Sequence, residues 1–132
     1  MSGNYNIPHA LIKVLAGLTF VSLFSFLSVM VASAEEPKVP FTHTKGGKLY
    51  KDNCAVCHGG TLTGTKQGPP LLHPFYKPSH HADFSFYRAA LKGVQAHHWE
   101  FGDMPPIQGI TREDMDAIVP FIRWYQKEKG LF

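Results

Sequence analysis

The sequence predicts an all-α domain in which three short helices are joined by long loops. Apolar side chains recur with helical spacing in three segments, near residues 45–58, 83–92 and 111–129. No segment shows the apolar–polar alternation of a half-buried strand. Glycine and proline crowd the intervening segments and forbid long regular elements there. Loops of this length are uncommon in a compact domain, so something other than secondary structure must organise them.

The first 34 residues differ in composition from the rest of the chain. Residues 14–31 carry no charged side chain, Lys13 precedes them, and residues 32–34 (Ala-Ser-Ala) form an A-x-A cleavage site. We therefore predict a signal peptide over residues 1–34. An uncleaved membrane anchor is the alternative, because residues 14–31 would span roughly 27 Å as a helix, close to the ~30 Å hydrocarbon core. In both cases the following domain crosses the membrane, with Lys13 on the cytoplasmic side.

Residues 35–44 are predicted to be an extended leader, because Pro37 and Pro40 interrupt them. Residues 45–132 are predicted to form one domain, which by its size buries only a modest apolar core. The formal net charge of the whole chain is +3 at pH 7. A balance this close to neutral gives no argument for nucleic-acid binding.

The first helix is predicted to run from Lys45 into the segment Cys54–His58. Residues 59–79 follow as a loop rich in glycine and proline. A second helix is predicted from about Asp83 to Lys92. Its apolar face is predicted from the spacing i, i+3 and i+7, and Gly93 is predicted to terminate it. The residues of that predicted face are Phe84, Tyr87 and Leu91.

The last helix has the clearest start signal. Thr111 is a favourable N-cap residue, and acidic residues fill the first turn, where the helix dipole favours them. Gly130 is predicted to end the helix, and Pro120 is predicted to kink it. One apolar stripe with helical spacing is predicted to face the core. It consists of Met115, Ile118, Phe121, Ile122 and Tyr125.

The segment Cys54-Ala-Val-Cys57-His58 has the spacing C-x-x-C-H, which is the attachment signature of c-type haem. On a helical turn these three side chains share one face. Cys54 and Cys57 can each form a thioether with a porphyrin vinyl group, and His58 can direct its imidazole at the iron. One covalent haem c is the predicted cofactor, and it would organise the loops.

Other uses of the pair C-x-x-C fit the chain less well. A structural zinc site needs four ligands, and the sequence has no third cysteine. A thioredoxin-type redox pair would lie beside a βαβ pattern, which is not seen here. A structural disulfide across two residues is the remaining alternative.

The sixth iron ligand is predicted to be Met104. It lies in a non-helical segment before two prolines that stiffen the loop, and such a position offers little reason for core packing. Met115, in contrast, lies on the apolar stripe of the last helix and is predicted to be core.

Histidine is the alternative sixth ligand, because His97 and His98 stand shortly before Met104. The pairs His80-His81 and His97-His98 also raise the possibility of copper binding. Adjacent side chains diverge in helices and strands, so a sequential pair is a poor chelate. Solvent-exposed or propionate-contacting histidines are therefore the default interpretation.

Over nearly all of residues 45–129 the chain resembles the class I cytochromes c. Besides the attachment segment, the resemblance rests on Gly68-Pro69, Trp99 and Met104-Pro-Pro. It also rests on four residues with the spacing of the family's packed helix pair: Gly46, Tyr50, Ile118 and Phe121. Pro120 departs from the family pattern and puts the straightness of the last helix in doubt.

The resemblance implies a cytochrome c fold and roles for two further residues. The backbone carbonyl of Pro69 would accept the N–H of the His58 imidazole and orient the ring. Trp99 would donate a hydrogen bond to a haem propionate, with plain core packing as the alternative. Gly46 would allow close approach between the first and last helices.

The predicted function is one-electron transfer in an oxidising compartment, most simply a bacterial periplasm, with His58 and Met104 holding the iron. Weakly docked redox proteins at the haem edge are the predicted partners. A dedicated electron-transfer subunit of a larger dehydrogenase or oxidase, anchored in the inner membrane and facing the periplasm, is the alternative. A catalytic or sensing haem with a labile distal ligand is the third hypothesis. No catalytic base, nucleophile or substrate pocket is apparent, so the protein is not predicted to be an enzyme.

Overall fold

The computed structural model describes residues 35–132, so the predicted signal peptide or anchor lies outside the described residues. None of the described helices combines the length and the apolar character needed to cross a bilayer. Within residues 35–132 the one strand-like pairing is a single antiparallel bridge between Val94 and Met104. The all-α prediction is therefore confirmed. The α-helices are α1 (Thr44–Asn53), α2 (Ala55–His58), α3 (Asp83–Lys92) and α4 (Arg112–Glu128), and the 3₁₀ helices are Phe41–His43 and Pro74–Tyr76.

The extended leader is shorter than predicted and ends at Pro40. The carbonyl of Pro40 accepts hydrogen bonds from the His43 N–H (2.9 Å) and the Thr44 hydroxyl (3.3 Å). These bonds close a 3₁₀ turn that leads directly into α1, so the predicted boundary at residue 44 is wrong. The start of the leader is held on α4, because Glu36 accepts a hydrogen bond from the Tyr125 hydroxyl and pairs with Lys129 at 3.5 Å.

The first helix bends at Cys54 instead of running straight through the attachment segment. The N–H of Cys54 still donates to the Tyr50 carbonyl (2.8 Å), and its own carbonyl accepts from the His58 N–H (3.0 Å). Because the hydrogen bonding continues across the bend, α1 and α2 form one bent helical unit. This unit positions the two cysteines and His58.

Helices α1 and α4 cross at Gly46 with almost no space between their backbones. A Cβ atom on Gly46 would lie 2.1 Å from the Ala117 carbonyl oxygen and 2.9 Å from Cβ of Phe121. One turn further, the ring of Tyr50 packs against Phe121 with centroids 5.5 Å apart. Tyr50, Ile118 and Phe121 are all buried, so the helix pair has the packing that the resemblance implied.

The predicted apolar face of α3 is wrong, although the bounds of the helix are as predicted. Phe84 is 68% exposed and Leu91 is also exposed, whereas Phe86 and Ala90 are buried. Both sets of residues have helical spacing, so periodicity alone could not choose between them. The loop after α3 returns to the end of this helix, where the Ala90 carbonyl accepts the Ile107 N–H at 2.9 Å.

The start of α4 and its apolar stripe are confirmed. The Thr111 hydroxyl accepts from the Asp114 N–H (3.1 Å), and the Asp114 carboxylate accepts from the Thr111 N–H (3.0 Å), which makes a reciprocal capping box. The Asp114 carboxylate also accepts from the Thr111 hydroxyl at 2.8 Å, and this bond, followed by the bond from the Thr111 N–H, lowers the pKa of Asp114. Helix α4 continues through Pro120, which is exposed. Proline has no N–H, so the carbonyl four residues earlier has no helical donor and can bond to water instead. All five predicted stripe residues are buried.

Arg123 connects α4 to the segment that precedes α3 and to the first residue of α3. Its side chain is only 12% exposed, and it pairs with Asp83 at 2.7 Å. The guanidinium also donates to the carbonyls of Tyr76 (2.6 Å) and His81 (2.5 Å) and to the Gln126 side chain (2.8 Å). Its carbon lies 4.8 Å from the Phe86 ring centroid. The Arg123 side chain therefore supplies hydrogen-bond donors to two carbonyls that no helix or sheet provides with a donor.

Replacing Arg123 by methionine is expected to lower the free energy of unfolding by about 2–3 kcal/mol. Methionine keeps much of the apolar stem but leaves the two carbonyls without their donor, and unsatisfied buried groups cost roughly 1–3 kcal/mol. Urea unfolding of the haem-loaded protein measures the change. Arg112→Met is the matched control, because Arg112 is exposed and lies only over the Tyr87 ring at 5.5 Å; it should cost less than about 1 kcal/mol. Equal losses in the two variants would contradict the bracing role of Arg123.

Candidate functional site

An apolar cleft lies between α3, α4 and the loop that follows α3. The space between its walls is about 1000 Å³, counting the part that is open to solvent. Its walls are mainly aliphatic and aromatic, with few polar groups. The apolar wall includes Leu71, Phe86, Ile107, Met115, Ile118 and Ile122.

The attachment segment forms one side of this cleft. Cys54 and His58 both line it, and Cys54 is buried whereas Cys57 is half-buried. Burial raises the pKa of the Cys54 thiol to about 11, with a smaller contribution from Cys57. The thiol is therefore held in its neutral form in an apolar setting. Helix α2 is too short to be amphipathic in itself, and of the attachment residues Cys54 and His58 line the cleft whereas Cys57 does not.

His58 is fixed in one orientation by the loop opposite. Its Nδ1–H donates to the Pro69 carbonyl at 2.9 Å, so the lone pair is on Nε2. Desolvation lowers the pKa of His58, and the bond to Pro69 offsets part of this. Gly68 allows the loop to approach, because a Cβ atom there would lie 3.0 Å from both Cβ and the carbonyl oxygen of Cys57. The ring is thus neutral, oriented and able to act as a ligand.

Met104 is placed in the cleft by its backbone. Its N–H donates to the Val94 carbonyl and its carbonyl accepts from the Val94 N–H, both at 2.9 Å. The loop between them is further closed by the Asp103 carboxylate, which accepts the Ala96 N–H at 2.8 Å. Gly93 has a φ of 78°, and a Cβ atom there would lie 2.6 Å from the Met104 carbonyl oxygen. Met104 is half-buried and lines the same cleft as His58.

Trp99 lines the cleft and brings an unsatisfied donor into it. Its indole Nε1 is buried and has no hydrogen-bond partner among residues 35–132. An orphaned donor of this kind costs roughly 1–3 kcal/mol, so it indicates an acceptor supplied by a ligand. Tyr76 lines the same part of the cleft. Burial raises the pKa of the Tyr76 phenol.

The four histidines of the two sequential pairs lie close together at the edge of the cleft. His81, His97 and His98 line it, whereas His80 is exposed and does not. The ring centroids of His80 and His98 are 5.1 Å apart, and those of His97 and His98 are 4.3 Å apart. Desolvation and the surrounding imidazoles lower the pKa of His98. The pair His80-His81, which precedes α3, therefore lies next to the pair His97-His98, which follows α3.

These residues fit a haem. Two cysteines for thioethers, an oriented imidazole, an apolar cleft and a buried donor without a partner are what a covalently bound porphyrin with its propionates requires. The fold and the site together define a small all-α protein that binds a c-type haem.

The chain belongs to the cytochrome c family. The family model described as Cytochrome c matches residues 43–126, which is more than half of the chain. Comparison with curated proteins and with solved structures gave no significant match. Membership confirms the predicted fold and the covalent haem c, and it assigns the protein to haem-based electron transfer.

Sequence reasoning missed Tyr76, Arg123 and Gln126. Gln126 is fully buried, and its side-chain N–H donates to the Leu71 carbonyl at 2.7 Å. A signal was available for Gln126, because it continues the apolar stripe of α4 one turn beyond Ile122. A polar residue in such a position has a buried partner more often than not. For Tyr76, which lies between two loops, no local pattern gives the role.

Proposed function

We propose that this protein is a one-electron carrier whose haem iron is held by His58 and Met104 in an extracytoplasmic compartment, most simply a bacterial periplasm. The observation that carries the proposal is that both residues line one apolar cleft, with the His58 ring held by the Pro69 carbonyl and the backbone of Met104 held by two hydrogen bonds to Val94. The bound haem supplies an iron that cycles between Fe(III) and Fe(II).

The residues around the proposed ligands suit electron transfer rather than catalysis. Pro69 keeps the His58 ring in place, and the bridge to Val94 keeps Met104 in place, whatever the oxidation state. Ligands that do not move keep the reorganisation small. Together, the Met104 thioether and the His58 imidazole would favour the reduced iron and raise its potential. Trp99, and Tyr76 beside it, would bind the propionates and keep their charge away from the apolar wall.

Redox partners are proposed to dock where the attachment segment reaches the surface. Val56, between the two cysteines, is 70% exposed, although it is apolar. An exposed apolar side chain next to the thioether positions offers a contact close to the haem edge. A small interface of this kind, below about 1,200 Å², is typical of transient redox encounters.

Carbon monoxide binding tests the proposal. The reduced protein is expected to bind carbon monoxide slowly and weakly, because Met104 occupies the sixth position, and the ferric spectrum is expected to show the sulfur-to-iron charge-transfer band. Rapid binding together with the absence of that band would contradict the proposal and favour the catalytic or sensing alternative. The N-terminal residue of the purified protein then separates a free carrier, which lacks residues 1–34, from a subunit anchored in the inner membrane.

A further inference from the structure

Three histidines from two separate segments converge at the edge of the haem cleft. His80 and His81 follow the 3₁₀ helix Pro74–Tyr76, and His98 lies in the loop after α3. One ring nitrogen of each lies within 4.8 Å of those of the other two. We propose that His80, His81 and His98 form a binding site for one late transition-metal ion, which takes Cu²⁺ in preference to Zn²⁺.

The spacing of the nitrogen atoms suits a shared metal ion. Nε2 of His80 and Nε2 of His98 are 3.2 Å apart. Two imidazole nitrogens that each bind one metal at ~2.0–2.1 Å are about 2.9 Å apart at the roughly 90° angle of tetragonal Cu²⁺ and about 3.3 Å apart at the tetrahedral angle. The observed 3.2 Å lies within this range. The two rings therefore stand at the separation of neighbouring ligands. A direct hydrogen bond between neutral imidazoles would have the same length, and the experiment below distinguishes the two.

His81 has the outer hydrogen bond that metal-binding histidines have as a rule. Its Nδ1–H donates to the Phe75 carbonyl at 2.6 Å, which leaves the lone pair on Nε2. Such a bond fixes the tautomer and the ring orientation and makes the free nitrogen a better ligand. A histidine that only covered the edge of the cleft would not need it.

The backbone and the neighbouring rings hold the three ligands in place. The Lys77 carbonyl accepts the N–H groups of both His80 and His81 at 2.9 Å, so a tight turn presents the two side chains. The Phe75 ring stacks on His98, with centroids 4.3 Å apart and planes at 22°. A site held in this way loses little conformational entropy when it binds an ion.

The ligand chemistry selects the class of metal. The cluster offers three imidazoles and neither a carboxylate nor a thiolate. Calcium and magnesium require oxygen ligands, whereas imidazole suits copper, zinc and nickel. Among divalent ions of the first row Cu²⁺ binds most tightly to a given set of nitrogen ligands. The exposed position of His80 leaves room for water as a further ligand.

Copper titration of the ferric, haem-loaded protein tests the site. Paramagnetic resonance should show one equivalent of Cu²⁺ bound with hyperfine coupling to imidazole nitrogen, and competition should show weaker binding of Zn²⁺. His80→Gln and His98→Gln are each expected to weaken Cu²⁺ binding at least about tenfold, since loss of an outer-shell partner alone costs 10–100-fold. All three positions are at least partly exposed, and far-ultraviolet circular dichroism of each variant will show that it folds.

His97→Gln is the matched control. His97 adjoins His98 and its ring contacts that of His98, but it is not one of the three convergent ligands. Its replacement should leave the affinity for Cu²⁺ unchanged. Equal weakening in His97→Gln and His98→Gln would overturn the proposal, because it would mean that histidines bind copper on this surface without a defined site. Wild-type Cu²⁺ binding that is no tighter than that of the double variant His80→Gln/His98→Gln would also overturn the proposal. The contact between His80 and His98 would then be a direct hydrogen bond and not a metal site.

Discussion

Replacing Met104 by leucine is expected to abolish the sulfur-to-iron charge-transfer band and to lower the reduction potential. Leucine is close to methionine in volume and is well tolerated in apolar sites, but it has no atom that can bind iron. The sixth position then becomes open to carbon monoxide in the reduced protein. Axial ligands spread haem potentials over roughly 0.8 V, so a large fall is expected. Optical spectroscopy and a redox titration measure both effects.

Met115→Leu is the control for this change. Both methionines line the cleft, but Met115 is buried in the stripe of α4, and its replacement should keep the band and change the potential little. The ligand assignment is wrong if Met115→Leu removes the band or if Met104→Leu retains it. A wild-type ferric spectrum without the band would instead favour a histidine from the 97–98 pair.

Replacing Gly46 by alanine is expected to destabilise the protein by roughly 2–4 kcal/mol. The new methyl group would meet the Ala117 carbonyl oxygen at 2.1 Å. Because that atom belongs to the backbone of α4, no side-chain rotation can relieve the clash, and the two helices have to separate. A clash this close to backbone lies at or above the upper end of the roughly 1–3 kcal/mol that overpacking typically costs, so it exceeds the gain of roughly 1 kcal/mol in helix propensity by about 2 kcal/mol or more. Urea unfolding of the haem-loaded protein measures the balance.

Gly60→Ala serves as the matched glycine-to-alanine control. A Cβ atom on Gly60 would meet nothing within 4 Å, and its φ is not positive. The expected change is within about 0.5 kcal/mol. Should Gly46→Ala prove as mild as Gly60→Ala, the close approach of α1 and α4 would not be a determinant of stability.

Local signals predicted the helices well and their faces less well. The bounds of α3 and the cap of α4 follow from residues within one turn, such as Gly93 and the pair Thr111–Asp114. The buried face of α3 depends on which side meets the rest of the chain. Phe84 and Leu91 fit the helical period as well as Phe86 and Ala90, so only the tertiary structure decides between them.

The candidate site also combines features that the local sequence predicts with features that only the tertiary structure shows. The haem attachment residues are contiguous, and the position of Met104 beside two prolines is a local feature as well. The bracing by Arg123 joins segments far apart in sequence, and its carbonyl acceptors have no sequence signature. Adjacent histidines chelate poorly as isolated pairs. The structure adds His98 to the turn of His80 and His81, which no pairwise rule could anticipate.

The bridge between Val94 and Met104 closes the loop that also carries His98. Breaking its two hydrogen bonds would release both ends of the loop together, so departure of Met104 and dispersal of the three histidines belong to one local unfolding event. An ion bound by His98 stabilises the closed loop by mass action and makes that event rarer. The lifetime of the proposed bond between Met104 and the iron would then depend on the concentration of the second metal in solution, with no contact between the two metals.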